Sequence, residues 1–123
     1  MTKNNNLSLQ LAEKIKVLAH ALHSDTVATR RHLHAHPELS FEEVQTGRYI
    51  AARLREYGIP HTHGIAQNGV VALIQGKNPK KRTIALRADF DAFPIEEANA
   101  VPYKSLNKGV MHACGHDVHT ASL

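Results

Sequence analysis

The single cysteine of this chain and three of its ten histidines crowd into one stretch, Gly109-Val110-Met111-His112-Ala113-Cys114-Gly115-His116-Asp117-Val118-His119-Thr120-Ala121. Cys114 and His116 are separated only by Gly115. A thiolate and a neutral imidazole at that spacing, on a tight turn, can converge on one borderline or soft divalent metal. Two other readings of the same pair stay open on spacing alone. Cys114 could be a buried cysteine in a turn beside a solvated histidine, or a nucleophile activated by the neighbouring imidazole. For the nucleophile reading, no oxyanion hole or orienting partner can be pointed to.

A second candidate is the pair Asp89 and Asp91. They follow the apolar run Thr83-Ile84-Ala85-Leu86, and polar groups at the end of a buried strand are where open α/β folds place their sites. Two residues apart on an extended chain, both carboxylates face the same side. Such a pair can bind a cation, or orient a metal-ligating histidine by accepting its free N–H. It can also simply hold a turn and pair with Arg87. His32 and His36 stand at i and i+4, but no Glu follows the first histidine as in H-E-x-x-H, so they read as surface or structural residues. His61 and His63 alternate along a weak strand and read as a solvated face.

These groups need elements to carry them. Leu11, Ile15, Leu18, Leu22, Val27 and Leu33 return at helical spacing, which predicts a helix from about Leu7 to Ala35, ended by Pro37. Residues 1–8 read as a disordered lead-in. Ser40-Phe41-Glu42-Glu43 has the form of a capping box for a second helix that runs to about Tyr57 and is stopped by Gly58 and Pro60. The period then changes. Val70 to Ile74 and Thr83 to Leu86 predict two buried strands joined through Lys77–Lys81 as an antiparallel hairpin, with Ile59 to Ile65 a weaker strand. The segment from Asp89 to Gly109 is loop-like, and His116 or Asp117 opens a third helix. The fold class is therefore α/β: two helices, a β-hairpin and the start of a third helix.

Composition bounds the rest. The 123 residues allow at most one domain, and 42% hydrophobic with 21% charged residues is a globular balance. Tryptophan is absent, so the core must rest on Leu, Ile, Val and Ala. The net charge of +4 is mild and scattered. Arg30-Arg31 and Lys80-Lys81-Arg82 read as a solvated helix face and loop, so nucleic acid is not expected as a partner. No run approaches the ~18 apolar residues of a membrane span, and the N-terminus has no apolar signal region. The expected location is the cytoplasm, where a lone cysteine beside histidines stays reduced.

Three strings occur together and in order: Arg31-His32-Leu33-His34-Ala35-His36-Pro37-Glu38-Leu39-Ser40-Phe41-Glu42-Glu43, Ala85-Leu86-Arg87-Ala88-Asp89-Phe90-Asp91-Ala92-Phe93-Pro94-Ile95, and Gly109 through Ala121. In these the chain resembles the N-terminal part of the M20 peptidase family amidohydrolases, in the branch of N-acyl-amino-acid amidohydrolases, hippurate hydrolases and auxin-conjugate hydrolases. Phe90 and Phe93 replace the Met and Leu common in that strand motif. The resemblance implies a zinc-peptidase-like catalytic domain, of which residues 9–123 would be the first portion. It implies Cys114 and His116 as metal ligands, with Asp89 and Asp91 in support, and two divalent ions per complete site (Mn, Zn, Co or Ni). The substrate implied is a small N-acyl amino acid, and full-length relatives are expected to be homo-oligomers. The general-base glutamate and the remaining ligands would lie beyond Leu123, which predicts that this chain alone is inactive. The contrasting reading is a non-catalytic remnant or interaction module.

Overall fold

A computed structural model describes residues 2–123, with side chains from Leu7 onward. Thr2–Ala35 form helix α1, so the helix reaches back well before Leu7. From Thr2 on, the expected lead-in is helical; Met1 lies outside the described residues. The row Leu11, Ile15, Leu18 and Leu22 is exposed, each residue by more than half. Burial is concentrated at the other end of α1, where Leu33 and His34 are each 3% exposed. Pro37, itself fully buried, follows directly.

Val44–Glu56 form helix α2, but the expected capping box does not close it. The Ser40 hydroxyl donates instead to Asp91 Oδ2, 2.5 Å away, so it is turned away from the helix. Glu38 takes over the capping role. Its carboxylate accepts from the backbone N–H of Gln45 (3.1 Å) and of Thr46 (2.7 Å), and from the Thr46 hydroxyl (2.8 Å). A carboxylate suits this position because it satisfies orphan amide donors and meets the positive end of the helix dipole. At the other end Gly58 adopts φ +67, as a C-terminal glycine should. Arg53 of α2 reaches Asp25 of α1 through both carboxylate oxygens, at 2.8 and 2.7 Å, and ties the two helices together.

The hairpin exists, but between different strands from those expected. Strand β1, His61–Ile65, pairs antiparallel with β2, Gly69–Ala72, in the register His61↔Ala72, Thr62↔Val71 and His63↔Val70. Ala66 (φ 48) and Gln67 (φ 84) make the reversal in the left-handed conformation that matches strand twist. That turn gives β2 its partner on the β1 side. Thr83–Leu86 forms no strand, and Ile84 and Leu86 remain about three-quarters exposed.

The segment after it is stitched down by two isolated bridges, Leu39↔Ala92 (parallel) and Phe93↔Met111 (antiparallel). Helix α3, His116–Ser122, follows and packs against α1. Among the described residues the interior is small and holds more polar side chains than hydrophobic ones. Leu33, Ala51 and Ala92 share it with His34, Thr46, Glu97, His112 and Asp117. Burying a polar group is costly unless it is hydrogen-bonded, so the hydrogen-bond pattern largely decides the shape of this region.

Candidate metal centre

Gly115 sits at φ 91 and ψ 17 and turns the chain from Cys114 into α3. A side chain would be strained in that conformation, whereas glycine adopts it freely. His116, the first residue of α3, has its ring fixed from one side. Its Nδ1 donates to the Asp91 carbonyl and to Asp91 Oδ1, both at 2.9 Å. Asp91 is held in turn by the Ser40 hydroxyl, which together with His116 keeps its carboxyl below the usual carboxylate range despite partial burial.

With Nδ1 committed, Nε2 of His116 is the atom left for a ligand, and it points toward Asp89 Oδ1 at 3.8 Å. His119, three residues on and on the same face of α3, places Nδ1 3.3 Å from the same oxygen. One ligand atom each from Asp89, His116 and His119 lie within 4.8 Å of one another. The hydrogen bond from His119, with the charges of His116 and Arg87 nearby, holds the Asp89 carboxyl below its ordinary range. Thr120 Oγ1 donates to the Asp89 carbonyl at 2.9 Å and fixes the segment against α3.

The two aspartates thus divide the work. Asp91 braces a histidine from behind, while Asp89 shows one oxygen to the imidazoles and the other to Arg87 at 3.4 Å. Cys114 is an exposed free thiol next to the turn and is not part of the three-residue group. Nitrogen and carboxylate donors, with a thiol close in sequence, form a set that zinc, cobalt, nickel or manganese accepts. The braced His116 is the arrangement found behind metal-ligating histidines.

His119 was not singled out by sequence, although its i+3 relation to His116 on a helix was the available signal. Nor was the buried cluster behind α3. Asp117 is 1% exposed, and its Oδ2 accepts from His34 Nδ1 at 2.7 Å and lies 2.9 Å from Arg30 Nε. His34 Nε2 faces Glu97 Oε1 at 3.1 Å, and Glu97 Oε2 accepts the Ser105 N–H at 2.7 Å. Burial alone would raise the Glu97 carboxyl, but the Ser105 N–H, His34 and Asn99 more than offset this and leave it below the usual range. His112, 5% exposed, has neither ring nitrogen hydrogen-bonded to a described group. Burial holds its pKa below that of an ordinary histidine, against the opposing charge of Asp117. His32 and His36 are structural, as expected: His32 stacks on Tyr49 at 4.0 Å, and His36 Nδ1 donates to the His32 carbonyl at 2.8 Å.

The α/β arrangement and its corner of imidazoles and carboxylates can be set beside known proteins. The model for peptidase family M20/M25/M40 matches residues 85–123. An N-acyl-L-amino acid amidohydrolase of Geobacillus stearothermophilus is 47% identical over 111 residues, which is 90% of this chain and 30% of that protein. An N-acetyl-L-cysteine deacetylase of Bacillus subtilis is 45% identical over 122 residues, 99% of this chain and 29% of that protein. Among solved structures, the Bacillus subtilis YXEP protein, described as a dinuclear metal binding peptidase from the M20 family, superposes with a TM-score of 0.75. It is 45% identical, over 84% of this chain and 29% of that one. The chain is thus similar to proteins of the M20 peptidase family and spans about 30% of the length of these curated relatives.

Proposed function

We propose that this chain carries the first part of a metal-dependent amidohydrolase site that cuts N-acyl amino acids into a carboxylic acid and a free amino acid. The observation that carries the reading is the held His116 ring, with Nδ1 donated to Asp91 and Nε2 turned toward Asp89 and His119. His116 and Cys114 would be ligands, with Asp91 behind His116 and Asp89 beside it. The complete site would take two divalent ions, Mn, Zn, Co or Ni. When bound, such an ion supplies Lewis-acid polarisation of an amide carbonyl and a more acidic water. The chain's own contribution is to hold the ligands in place, with the Nδ1–H of His116 directed at Asp91.

A general base is also needed to move a proton from water to the leaving amine. Among the described residues no glutamate joins the Asp89, His116 and His119 group. Glu96 accepts the Gly109 N–H, Glu43 accepts from the Asn68 side chain, and Glu97 is buried. We therefore expect metal uptake but no turnover from these residues alone. Residues 9–123 are taken as one portion of a catalytic domain. The reading extends to a reducing, cytoplasmic setting, supported by the free Cys114 thiol, and to homo-oligomeric full-length relatives. No helix among the described residues is long and apolar enough to cross a membrane.

The test is a titration of the purified chain with Co²⁺ beside an assay on a panel of N-acyl amino acids. A thiolate-to-cobalt charge-transfer band that is absent in Cys114→Ala supports the ligand assignment. No uptake by the folded chain refutes it. Metal-dependent turnover would refute the expectation that these residues are insufficient.

A further inference from the structure

His116 and Asp117 are consecutive, and their side chains leave α3 in different directions. His116 faces Asp91 and Asp89, while Asp117 is driven into the interior with its side chain fully buried. A seven-residue helix with no side-chain cap has little stability of its own, so its rotation and position are set by what it packs against. The firmest anchor is Asp117. Its Oδ1 accepts the Val118 N–H at 2.9 Å, and its Oδ2 accepts from His34 on α1 and lies beside Arg30 on α1. His34 is itself fixed from behind by Glu97, which is tied to the loop at Ser105 and to Asn99. A rotation of α3 that freed Asp117 would strand a buried carboxylate and an imidazole, each costing a large desolvation penalty. The same rotation would carry His116 and His119 away from Asp89.

We propose that His34 and Arg30 are positioning residues for the metal centre: by clamping Asp117 they set the rotation of α3, and so the placement of His116 and His119. This rests on the metal reading given above. His34 touches none of the ligand groups, so it acts only through Asp117. Glu97 and Arg30 hold the clamp from two further sides, through His34 and directly on Asp117.

The experiment is Co²⁺ titration of the 123-residue chain and its His34→Gln variant, followed by absorption spectroscopy of the saturated proteins and by thermal unfolding without metal. Glutamine offers one amide where the imidazole engages two carboxylates, so the clamp is broken on one side. The expected result is a Kd for Co²⁺ raised about 10-fold, the low end of what remote supports of metal ligands contribute, with shifted cobalt d–d bands in the saturated variant. Should His34→Gln fail to fold, Arg30→Lys carries the same test. Its side chain is 28% exposed, and lysine keeps the charge while losing the fixed guanidinium fork. A lowered Tm with unchanged Kd and unchanged d–d bands overturns the proposal and leaves the cluster a purely structural tie. Absence of cobalt uptake by the wild-type chain is a different failure: it overturns the metal reading itself, and this proposal with it.

Discussion

Replacing Asp91 with alanine isolates the brace behind His116. Two oxygens of Asp91 share the Nδ1 proton, the carboxylate Oδ1 and the main-chain carbonyl, each at 2.9 Å. The substitution deletes the first and leaves the second, so the ring keeps one acceptor and its tautomer. Loss of such supports weakens metal binding by about 10- to 100-fold, and the surviving carbonyl places this case near 10-fold, or about 1.4 kcal/mol. Asp91→Asn keeps an oxygen acceptor and loses only the charge, so its effect should be smaller, about 3-fold, which is roughly 0.6 kcal/mol. The Ser40 hydroxyl loses its acceptor in the alanine variant but is exposed and can turn to water. The assay is competition for Co²⁺ against a chromophoric chelator at fixed pH, with circular dichroism to show that each variant is folded. Folded Asp91→Ala that binds Co²⁺ as tightly as wild type would refute the brace, and so would Asn and Ala variants that weaken binding equally.

Glu38→Ala should destabilise the chain by about 2 kcal/mol, since it removes a helix cap and leaves the Thr46 amide and hydroxyl, in a residue only 4% exposed, without their acceptor. Ser40→Ala should cost well under half of that, and urea unfolding of the two variants ranks them. Gly47→Ala should be destabilising by more than about 1 kcal/mol, because a Cβ there would meet the Asn68 carbonyl oxygen at 2.5 Å and His63 Nε2 at 2.9 Å. Glu97→Gln tests the pH dependence. A carboxyl depressed in the folded state stabilises fully above its unfolded value of about 4.3 and loses that contribution as pH falls through the lower folded value. The stability gap between wild type and Glu97→Gln, followed by thermal melts, should be flat from neutral pH to about 5 and shrink below about 4.

Much of this was legible in sequence where a single local rule governs. Helical spacing gave α1 and α2, Gly58 marked the end of α2, and the Gly115 turn placed the start of α3 correctly. Sequence failed where two local rules competed. Ser40 fits a capping box, yet its hydroxyl is worth more to Asp91, and the stronger acceptor Glu38 captures the helix amides. Sequence pairs Val70–Ile74 with the apolar run Thr83–Leu86, whereas β2 pairs with the weaker strand at His61–Ile65. The choice fell to the turn with two left-handed residues, which nothing in the types Ala66 and Gln67 announces. Within the site, Asp89 and Asp91 were legible as a same-side pair, but their different tasks depend on which oxygen meets which histidine. The clamp on Asp117 was invisible because its partners lie on α1 and in the loop, and no spacing rule links them.

That last separation has a consequence for how the molecule forms. The His34–Asp117 hydrogen bond closes a span of 83 residues, and the His34–Glu97 contact one of 63. Closing so long a span costs chain entropy that only the finished contact repays, and such contacts form late and slow the overall reaction. On a nascent chain, α1 is made first, and His34 must wait through α2, the hairpin and the loop before Asp117 exists. Until then, the buried end of α1 has neither its carboxylate partners nor its cover. The metal corner is therefore among the last features to acquire its shape, and refolding followed by cobalt absorbance should lag behind refolding followed by helical circular dichroism.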